Sequence, residues 1–286
     1  MNAIAQKIRD HASLMRPINS TAIGMAVIAG EIVALGVLPA PKEAMLGFLT
    51  GFFVSSSSMV FNDYFDVEVD RVNAPNRPLP SGRMHLREAL TAGFSWASMG
   101  ILCSIFLGPV NLLIAVVFWA VAILYNSLGK ATGLMGNFMV SVSVAIPYVF
   151  GGAAVGRPLD SVIVMFFSIS LLANMGREVA KGIMDVEGDA ARGIKTVALR
   201  HGVSMASKLT SIFLFASIIL SWLPYVFGWL GIPYLIFIAV ADVVIAHSGI
   251  RVLSKRGSKE IGSIKAEILV GMFLGLLAFI AGGLTR

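Results

Sequence analysis

Long apolar stretches follow one another along almost the whole chain, and they limit what it can fold into. We predict nine membrane-spanning segments, at about 20–38, 43–61, 88–107, 110–128, 133–155, 160–177, 208–228, 231–250 and 265–284. Each is long enough to cross about 30 Å of hydrocarbon as a helix that rises about 1.5 Å per residue. The apolar runs are continuous rather than alternating, which favours helices over a membrane β-barrel.

The composition excludes the soluble and disordered classes of protein. Hydrophobic residues make up 57% of the chain and charged residues 13%, whereas a soluble domain has roughly 45–50% and about 25%. Cys103 is the only cysteine, so no disulfide forms within the chain. We therefore predict an all-α membrane protein with one domain over residues 1–286.

The basic residues predict the orientation of the chain. Nineteen of the 22 Lys and Arg residues fall on one side of the predicted spans, and only Lys42, Arg157 and Arg286 fall on the other. By the positive-inside rule, the N-terminus is cytoplasmic and, after nine crossings, the C-terminus is outside. Residues 1–16 are expected to form an interfacial helix rather than a cleaved signal peptide. Topology and anionic headgroups explain the net charge of +6 without nucleic acid.

Two acidic motifs lie in the two long hydrophilic loops, at about 62–87 and 177–207, both predicted to be cytoplasmic. The first motif contains Asn62, Asp63, Asp66 and Asp70, and the second contains Asp185 and Asp189. Both Asp66 to Asp185 and Asp70 to Asp189 are 119 residues. This equal interval, with one motif after the second span and one after the sixth, indicates a duplicated four-helix unit.

The spacing within each motif predicts a metal site. On a helix continuing from the second span, Asn62, Asp66 and Asp70 share one face, and Asp185 and Asp189 stack in the same way. Carboxylate and amide oxygens suit Mg²⁺, which prefers one or two carboxylates with waters and substrate phosphates. Two facing motifs are expected to hold two Mg²⁺ ions around one diphosphate. A solvated helix end is the alternative for either motif alone, and the equal intervals and basic neighbours favour the site.

Basic residues near the acids are candidate ligands of the diphosphate. Arg77 follows Asn76 in a loop stiffened by prolines, which can place a guanidinium for bidentate phosphate contact. Lys130 follows the fourth span and Lys181 precedes the second acidic pair. Each alone is typical of a positive-inside anchor, whereas the set around paired acids indicates a diphosphate site. Arg16 and Asn19, at the start of the first span, are weaker candidates.

These motifs resemble the UbiA superfamily of intramembrane prenyltransferases. The family pattern N-D-x-x-D-x-x-x-D matches residues 62–70, with Asn76-Arg77-Pro78 after it, and D-x-x-x-D matches residues 185–189. The family's Y-x-x-x-K signature is one residue longer here, from Tyr125 to Lys130. The resemblance implies nine helices enclosing a central cavity, with the active site at the cytoplasmic end.

The second motif and its flanking residues look most like the archaeal branch of this family. That branch transfers a geranylgeranyl group from its diphosphate to geranylgeranylglyceryl phosphate in the biosynthesis of archaeal membrane lipids. The resemblance thus implies a catalytic role for the motif aspartates, with Asp63 as a candidate proton acceptor and Lys195 and Tyr125 as weak candidates for acceptor binding. A family member acting on an aromatic acceptor in quinone or haem biosynthesis is the alternative within the family.

A membrane transporter is the alternative from another class, since internal duplication and buried acids suit it as well. The predicted cytoplasmic position of the acids favours an enzyme, because transporter sites usually lie near the bilayer midplane. Glu31 and Asp242 lie inside predicted spans, where ionisable residues are candidates for function. Asp242 is expected to pair with His247 or to be protonated, and neither acid is assigned a role.

Overall fold

The computed structural model describes residues 3–184, 186–191, 193–254 and 258–286. Every regular element in these residues is helical. The α-helices are α1 Ala3–Met15, α2 Pro17–Leu35, α3 Pro41–Phe65, α4 Val67–Asn73, α5 Leu86–Ile105, α6 Pro109–Ser127, α7 Leu134–Ala154, α8 Ser161–Met184, α9 Val186–Ala191, α10 Val197–Val226, α11 Ile232–Ser254 and α12 Ser258–Gly283. A short 3₁₀ helix, Gly129–Thr132, precedes α7. The predicted all-α class is confirmed.

Eight of the described helices are long and apolar enough to cross a membrane: α2, α3, α6, α7, α8, α10, α11 and α12. The segment predicted at 88–107 forms α5, which has 20 residues and is not among these eight. Charged Arg87 and Glu88, together with scattered Ser and Gly residues, lower its hydropathy. The count of nine spans is therefore not reached by length and composition alone.

The helix boundaries follow from local sequence. Pro17, Pro41 and Pro109 each open a helix, where a missing N–H costs nothing because the first turn has no internal acceptor for it. Thr196 caps α10 by accepting a hydrogen bond from the N–H of Leu199 at 3.3 Å. The helix predicted within residues 1–16 is confirmed as α1.

The contacts divide the chain into two compact units, residues 1–28 with 40–127 and residues 29–39 with 128–286. In the first unit, α3 packs against α1, α5 and α6. Phe61 of α3 meets Phe94 of α5 and Trp119 of α6 edge to face. Below the first acidic loop, buried Leu14, Val60 and Leu79 join α1, α3 and the loop into one apolar cluster.

In the second unit, α8 packs against α7, α10 and α12, and α11 packs against α10 and α12. Phe166, Tyr234 and Phe279 stack in its centre. A larger apolar cluster, which includes Val179, Ile183, Ala198, Leu214 and Ile261, lies around the end of α8 that leads into the second motif. The prediction of one domain with a central cavity stays a prediction.

Candidate functional site

The first acidic motif lies where α3 ends. We predicted one helix running through the motif, and this is wrong in detail: α3 ends at Phe65 and α4 begins at Val67, with Asp66 at φ −94° and ψ 5°. The backbone bonds still continue, from the N–H of Asp66 to the carbonyl of Asn62 at 3.0 Å and from Asp70 to Asp66 at 2.8 Å. The four-residue register of the motif is therefore kept across the break.

Two arginines bind the buried acids of this motif. Arg16 donates to Oδ1 of Asp63, and Nη1 of Arg77 lies 3.4 Å from the same oxygen and 2.6 Å from Oδ2 of Asp70. The side chains of Asp63 and Asp70 are 5% and 10% exposed, and those of Arg16 and Arg77 are 28% and 39% exposed. The acids therefore lie beneath a positively charged rim that remains open to a ligand.

The backbone at Arg16 is strained. Arg16 joins α1 to α2 with φ 45°, the one positive value outside glycine among the described residues. This conformation is uncommon for a residue with a side chain and is maintained by surrounding contacts. Its guanidinium bond to Asp63 and its 3.5 Å approach to Oδ1 of Asn62 are such contacts.

The predicted diphosphate ligands of the first unit lie in different settings. Arg77 belongs to the acidic cluster, whereas Asn76 is exposed and its carbonyl accepts from Nη2 of Arg83 at 2.8 Å. Asn19 is exposed in the first turn of α2. Arg83 also binds Asp10 of α1 at 3.2 Å, so it fastens the proline loop to α1. We did not predict these contacts of Arg83, because in the sequence it is only one more basic residue on the predicted cytoplasmic side.

In the second unit, the end of α8 carries an ion-pair cluster. Glu178 is buried and accepts from Arg177 at 2.8 Å, while Nζ of Lys181 lies 3.8 Å from its other oxygen. Lys181, a predicted diphosphate ligand, is about half exposed. Glu178 was missed by the sequence analysis, although a carboxylate between Arg177 and Lys181 is a signal for such a pair.

The second acidic motif is described only in part. Asp185 lies outside the described residues, and Asp189 is buried on α9. The end of α8 and the start of α9 lie 119 residues after the end of α3 and the start of α4, as the duplication predicts. Asp189 belongs to the second unit and Asp66 to the first, so the predicted facing of the two motifs stays a prediction.

The loop with Lys130 is fastened to the loop that follows the second motif. The N–H of Lys195 donates to the carbonyl of Ala131 at 3.3 Å. Gly133, with φ 70°, lies so close to the carbonyl of Lys195 that a side chain would collide with it. The structure therefore brings half-buried Lys130 and exposed Lys195 into the same pair of loops. Tyr125, a half-buried residue of α6, belongs to the first unit.

Of the two acids inside the predicted spans, Asp242 has a different partner from the one we expected. Asp242 accepts from Oγ of Ser221 at 2.7 Å, and His247 pairs with Glu267 of α12. The predicted pairing of Asp242 with His247 is therefore wrong, because the rotation of α11 directs the two side chains to different neighbours. Glu31 is fully buried in α2.

The donor set of the first motif fits a hard divalent cation. Within the described ranges, no three His, Cys, Asp or Glu side chains come together closely enough to hold a metal ion by themselves. Mg²⁺ does not require this, because one or two carboxylates suffice when waters and phosphate oxygens complete its shell. Asp66, Asp70 and the amide oxygen of Asn62 offer such a set, and Asn62 is held by Asn126 at 2.9 Å.

Comparison with known proteins gives the chain close relatives over nearly its full length. The profile of the UbiA prenyltransferase family matches residues 23–282. A protein of Methanopyrus kandleri named digeranylgeranylglyceryl phosphate synthase is 37% identical over 274 residues, which cover 96% of this chain and 99% of that protein.

Solved structures resemble the fold. One, from a study of digeranylgeranylglyceryl phosphate synthase in membranes, has a TM-score of 0.82 and 30% identity, covering 98% of this chain and all of that one. Another, a UbiA homologue from Archaeoglobus fulgidus bound to GPP and Mg²⁺, has a TM-score of 0.66 and 19% identity, covering 93% of this chain and 99% of that one.

Proposed function

Because the chain belongs to the UbiA prenyltransferase family, we propose that it transfers a geranylgeranyl group from geranylgeranyl diphosphate to geranylgeranylglyceryl phosphate. The observation that carries the proposal is the first motif, where buried acids and two arginines that are about one-third exposed share one cluster. The relatives named for this lipid synthase match almost the whole chain. The product is the digeranylgeranylglyceryl phosphate of archaeal membrane lipids.

Magnesium is the cofactor we propose, since a homologue with the same fold binds GPP and Mg²⁺ and the first motif offers suitable oxygens. Asn62, Asp66 and Asp70 would hold one ion, and Asp185 and Asp189 a second. A bound magnesium ion supplies positive charge that stabilises the leaving diphosphate.

The basic residues of the chain bind and orient the diphosphate in this proposal. Arg77, Lys130 and Lys181 would contact its oxygens, with Arg16, Asn76 and Asn19 as lesser contacts. Arg77 and Lys181 keep exposed fractions of 39% and 46%, so both can reach a ligand while they remain near their acids. Guanidinium and ammonium groups stabilise charge that develops on the diphosphate as its bond to the allylic carbon breaks.

The acceptor hydroxyl forms the new ether bond to the allylic carbon and loses its proton as diphosphate leaves. Asp63 already accepts from Arg16 and lies 3.4 Å from Arg77, which favours a role in holding these two guanidiniums over a role as proton acceptor. Lys195 and Tyr125 are the proposed contacts of the acceptor. The surrounding apolar helices exclude water, which would otherwise compete with the acceptor.

We also propose nine crossings of the cell membrane, with a cytoplasmic N-terminus. Arg286, after α12, donates to the carbonyl of Val33 near the end of α2 at 2.8 Å and binds Asp160, before α8, at 3.0 Å. The ends of α2 and α12 share one side of a membrane only if an even number of helices cross between them. Seven of the described long apolar helices follow α2. Seven is an odd number, so one more helix must cross, and we assign this eighth crossing to α5.

Turnover by the purified protein tests the reaction. We would supply radiolabelled geranylgeranyl diphosphate and Mg²⁺ in detergent or liposomes, with either geranylgeranylglyceryl phosphate or an aromatic acid as acceptor. We expect a diether product that is lost with EDTA and reduced at least about 100-fold in Asp66→Ala. Glu68→Ala is the matched control, since this neighbouring acid is 73% exposed and pairs with Arg71.

The proposed acceptor, the proposed metal and the reaction itself can each be contradicted by a different result. A prenylated aromatic product without diether would keep the family and overturn the proposed acceptor. Equal turnover with and without EDTA would contradict the proposed cofactor. No loss of diphosphate with any acceptor would overturn prenyl transfer and direct attention to a transporter.

A further inference from the structure

The last turn of α6 carries a buried amide that the proposed reaction does not use. Asn126 is 6% exposed. Its Oδ1 accepts from Nδ2 of Asn62 at 2.9 Å, and its Nδ2 donates to the carbonyl of Ser58 at 3.4 Å. Ser58 and Asn62 are one turn apart on α3, so Asn126 spans the turn that leads into the first acidic motif.

The bond to Asn126 determines which end of the Asn62 amide faces the acidic cluster. An amide has a donor end and an acceptor end with almost the same shape. Nδ2 of Asn62 donates to Asn126, and its Oδ1 lies 3.5 Å from Nη2 of Arg16, which is itself bound to Asp63. The reverse orientation would set donor against donor at Arg16 and acceptor against acceptor at Asn126. Only the observed orientation offers an oxygen on the side of the cluster.

We propose that Asn126 is a positioning residue that holds the side-chain oxygen of Asn62 ready to ligate the divalent cation of the first motif. An amide nitrogen is a donor and cannot serve as a ligand, so a reversed Asn62 would remove one of the cation's oxygens. Asn126 acts through Asn62 and touches no substrate. The inference rests on the proposed function only in that Asn62 is taken as a metal ligand.

Mn²⁺ binding tests this role without any substrate. The purified full chain in detergent would be titrated with Mn²⁺ as a paramagnetic probe, and free Mn²⁺ followed by electron paramagnetic resonance. Asn126→Leu and Asn126→Ser remove the acceptor of the Asn62 bond. We expect both to bind Mn²⁺ about 10–100-fold more weakly, as for other partners of metal ligands. Asn126→Asp keeps an oxygen that can accept from Nδ2 of Asn62, so it should retain most of the wild-type affinity for Mn²⁺.

Trp119→Phe is the matched control for packing between α6 and α3. Nε1 of Trp119 donates to Oγ of Ser57 at 3.0 Å, so this variant also loses a hydrogen bond between the same helices. That bond is made seven positions before Asn126 on α6 and does not involve Asn62. It should bind Mn²⁺ as the wild type does. If Asn126→Leu does not fold, Asn126→Ser decides, because its hydroxyl can bond to a carbonyl of its own helix.

The outcomes separate the inference from the proposed function. The inference is overturned if Asn126→Leu and Asn126→Ser bind Mn²⁺ as tightly as Trp119→Phe does, or if these two variants and Trp119→Phe all lose the same affinity. A wild-type protein that binds no Mn²⁺ overturns it too. A wild-type protein that binds Mn²⁺ but transfers no geranylgeranyl group contradicts the proposed function, while the loss of Mn²⁺ affinity on substitution of Asn126 still supports the inference.

Discussion

Substitution of Gly133 by alanine should destabilise the second unit through two separate costs. Gly133 has φ 70° and ψ −119°, a conformation that costs a residue with a side chain about 1–2 kcal/mol. The added Cβ would also meet the carbonyl of Lys195. A backbone atom cannot rotate away as a side chain can, and overpacking of this kind costs about 1–3 kcal/mol. We therefore expect a total near 3 kcal/mol.

Gly156→Ala is the matched control, because Gly156 has φ 79° in the same unit with nothing within 4 Å of an added Cβ. It pays only the backbone cost, about 1 kcal/mol. At about 2–4 °C per kcal/mol, the apparent Tm should fall by about 9 °C in Gly133→Ala and about 3 °C in the control. The assay is thermal unfolding in detergent, followed by tryptophan fluorescence at one fixed scan rate.

Turnover distinguishes the two variants further. Gly133→Ala separates the loop of Lys130 from that of Lys195, so its prenyl transfer should fall even at temperatures where it is folded. Gly156→Ala should retain wild-type turnover. Equal Tm shifts in the two variants would refute the reasoning, since the contact with Lys195 would then contribute nothing.

Three further outcomes follow from the contacts described. Asp63→Asn removes the negative charge that Arg16 and Arg77 share. Because each arginine is about one-third exposed, we expect the free energy of unfolding to fall by about 2 kcal/mol, less than the loss of a fully buried pair would cost. An unchanged Tm would contradict this. Arg77→Lys should change the free energy of unfolding by no more than about 1 kcal/mol, because a single nitrogen of Arg77 makes both of its contacts with the acids. Its turnover should nevertheless fall, because an ammonium cannot bind phosphate oxygens in a bidentate manner. Wild-type turnover would argue against the diphosphate role of Arg77. Cysteine labelling tests the nine crossings, in a Cys103→Ser background that removes the native thiol. Thr285→Cys should react with an impermeant maleimide added outside intact cells, whereas Ser81→Cys should react only after the cells are permeabilised. Labelling of both positions from the same side of the membrane would exclude nine crossings.

Much of the architecture was predictable because it depends on local patterns. A helix is the way a single apolar segment satisfies its own backbone in lipid, so long apolar runs predict helices wherever they occur. The segment 88–107 shows the limit of this rule. Its helix is present as α5, but its composition alone does not establish a crossing, and the contacts of Arg286 supply the argument.

The candidate site was predictable in its residues but not in its pairings. The spacing of Asn62, Asp66 and Asp70 pointed to a hard-cation site, and the break of the helix at Asp66 left the register intact. The spacing did not predict that Arg77 would lie between two of the motif acids. The ion pairs of Glu178 with Arg177 and Lys181 were signalled by their neighbouring positions in the sequence, but the sequence analysis missed them.

The membrane class, the helices and the two acidic motifs could be predicted from the amino-acid sequence, because hydropathy and four-residue spacing act over short stretches of chain. The meetings of distant side chains could be seen only in the folded chain. Arg16 reaches Asp63 across 47 positions, Asn126 reaches Asn62 across 64, and Arg286 reaches Val33 across 253. Such contacts depend on how each helix is rotated and packed against its neighbours, and hydropathy carries no information about that rotation.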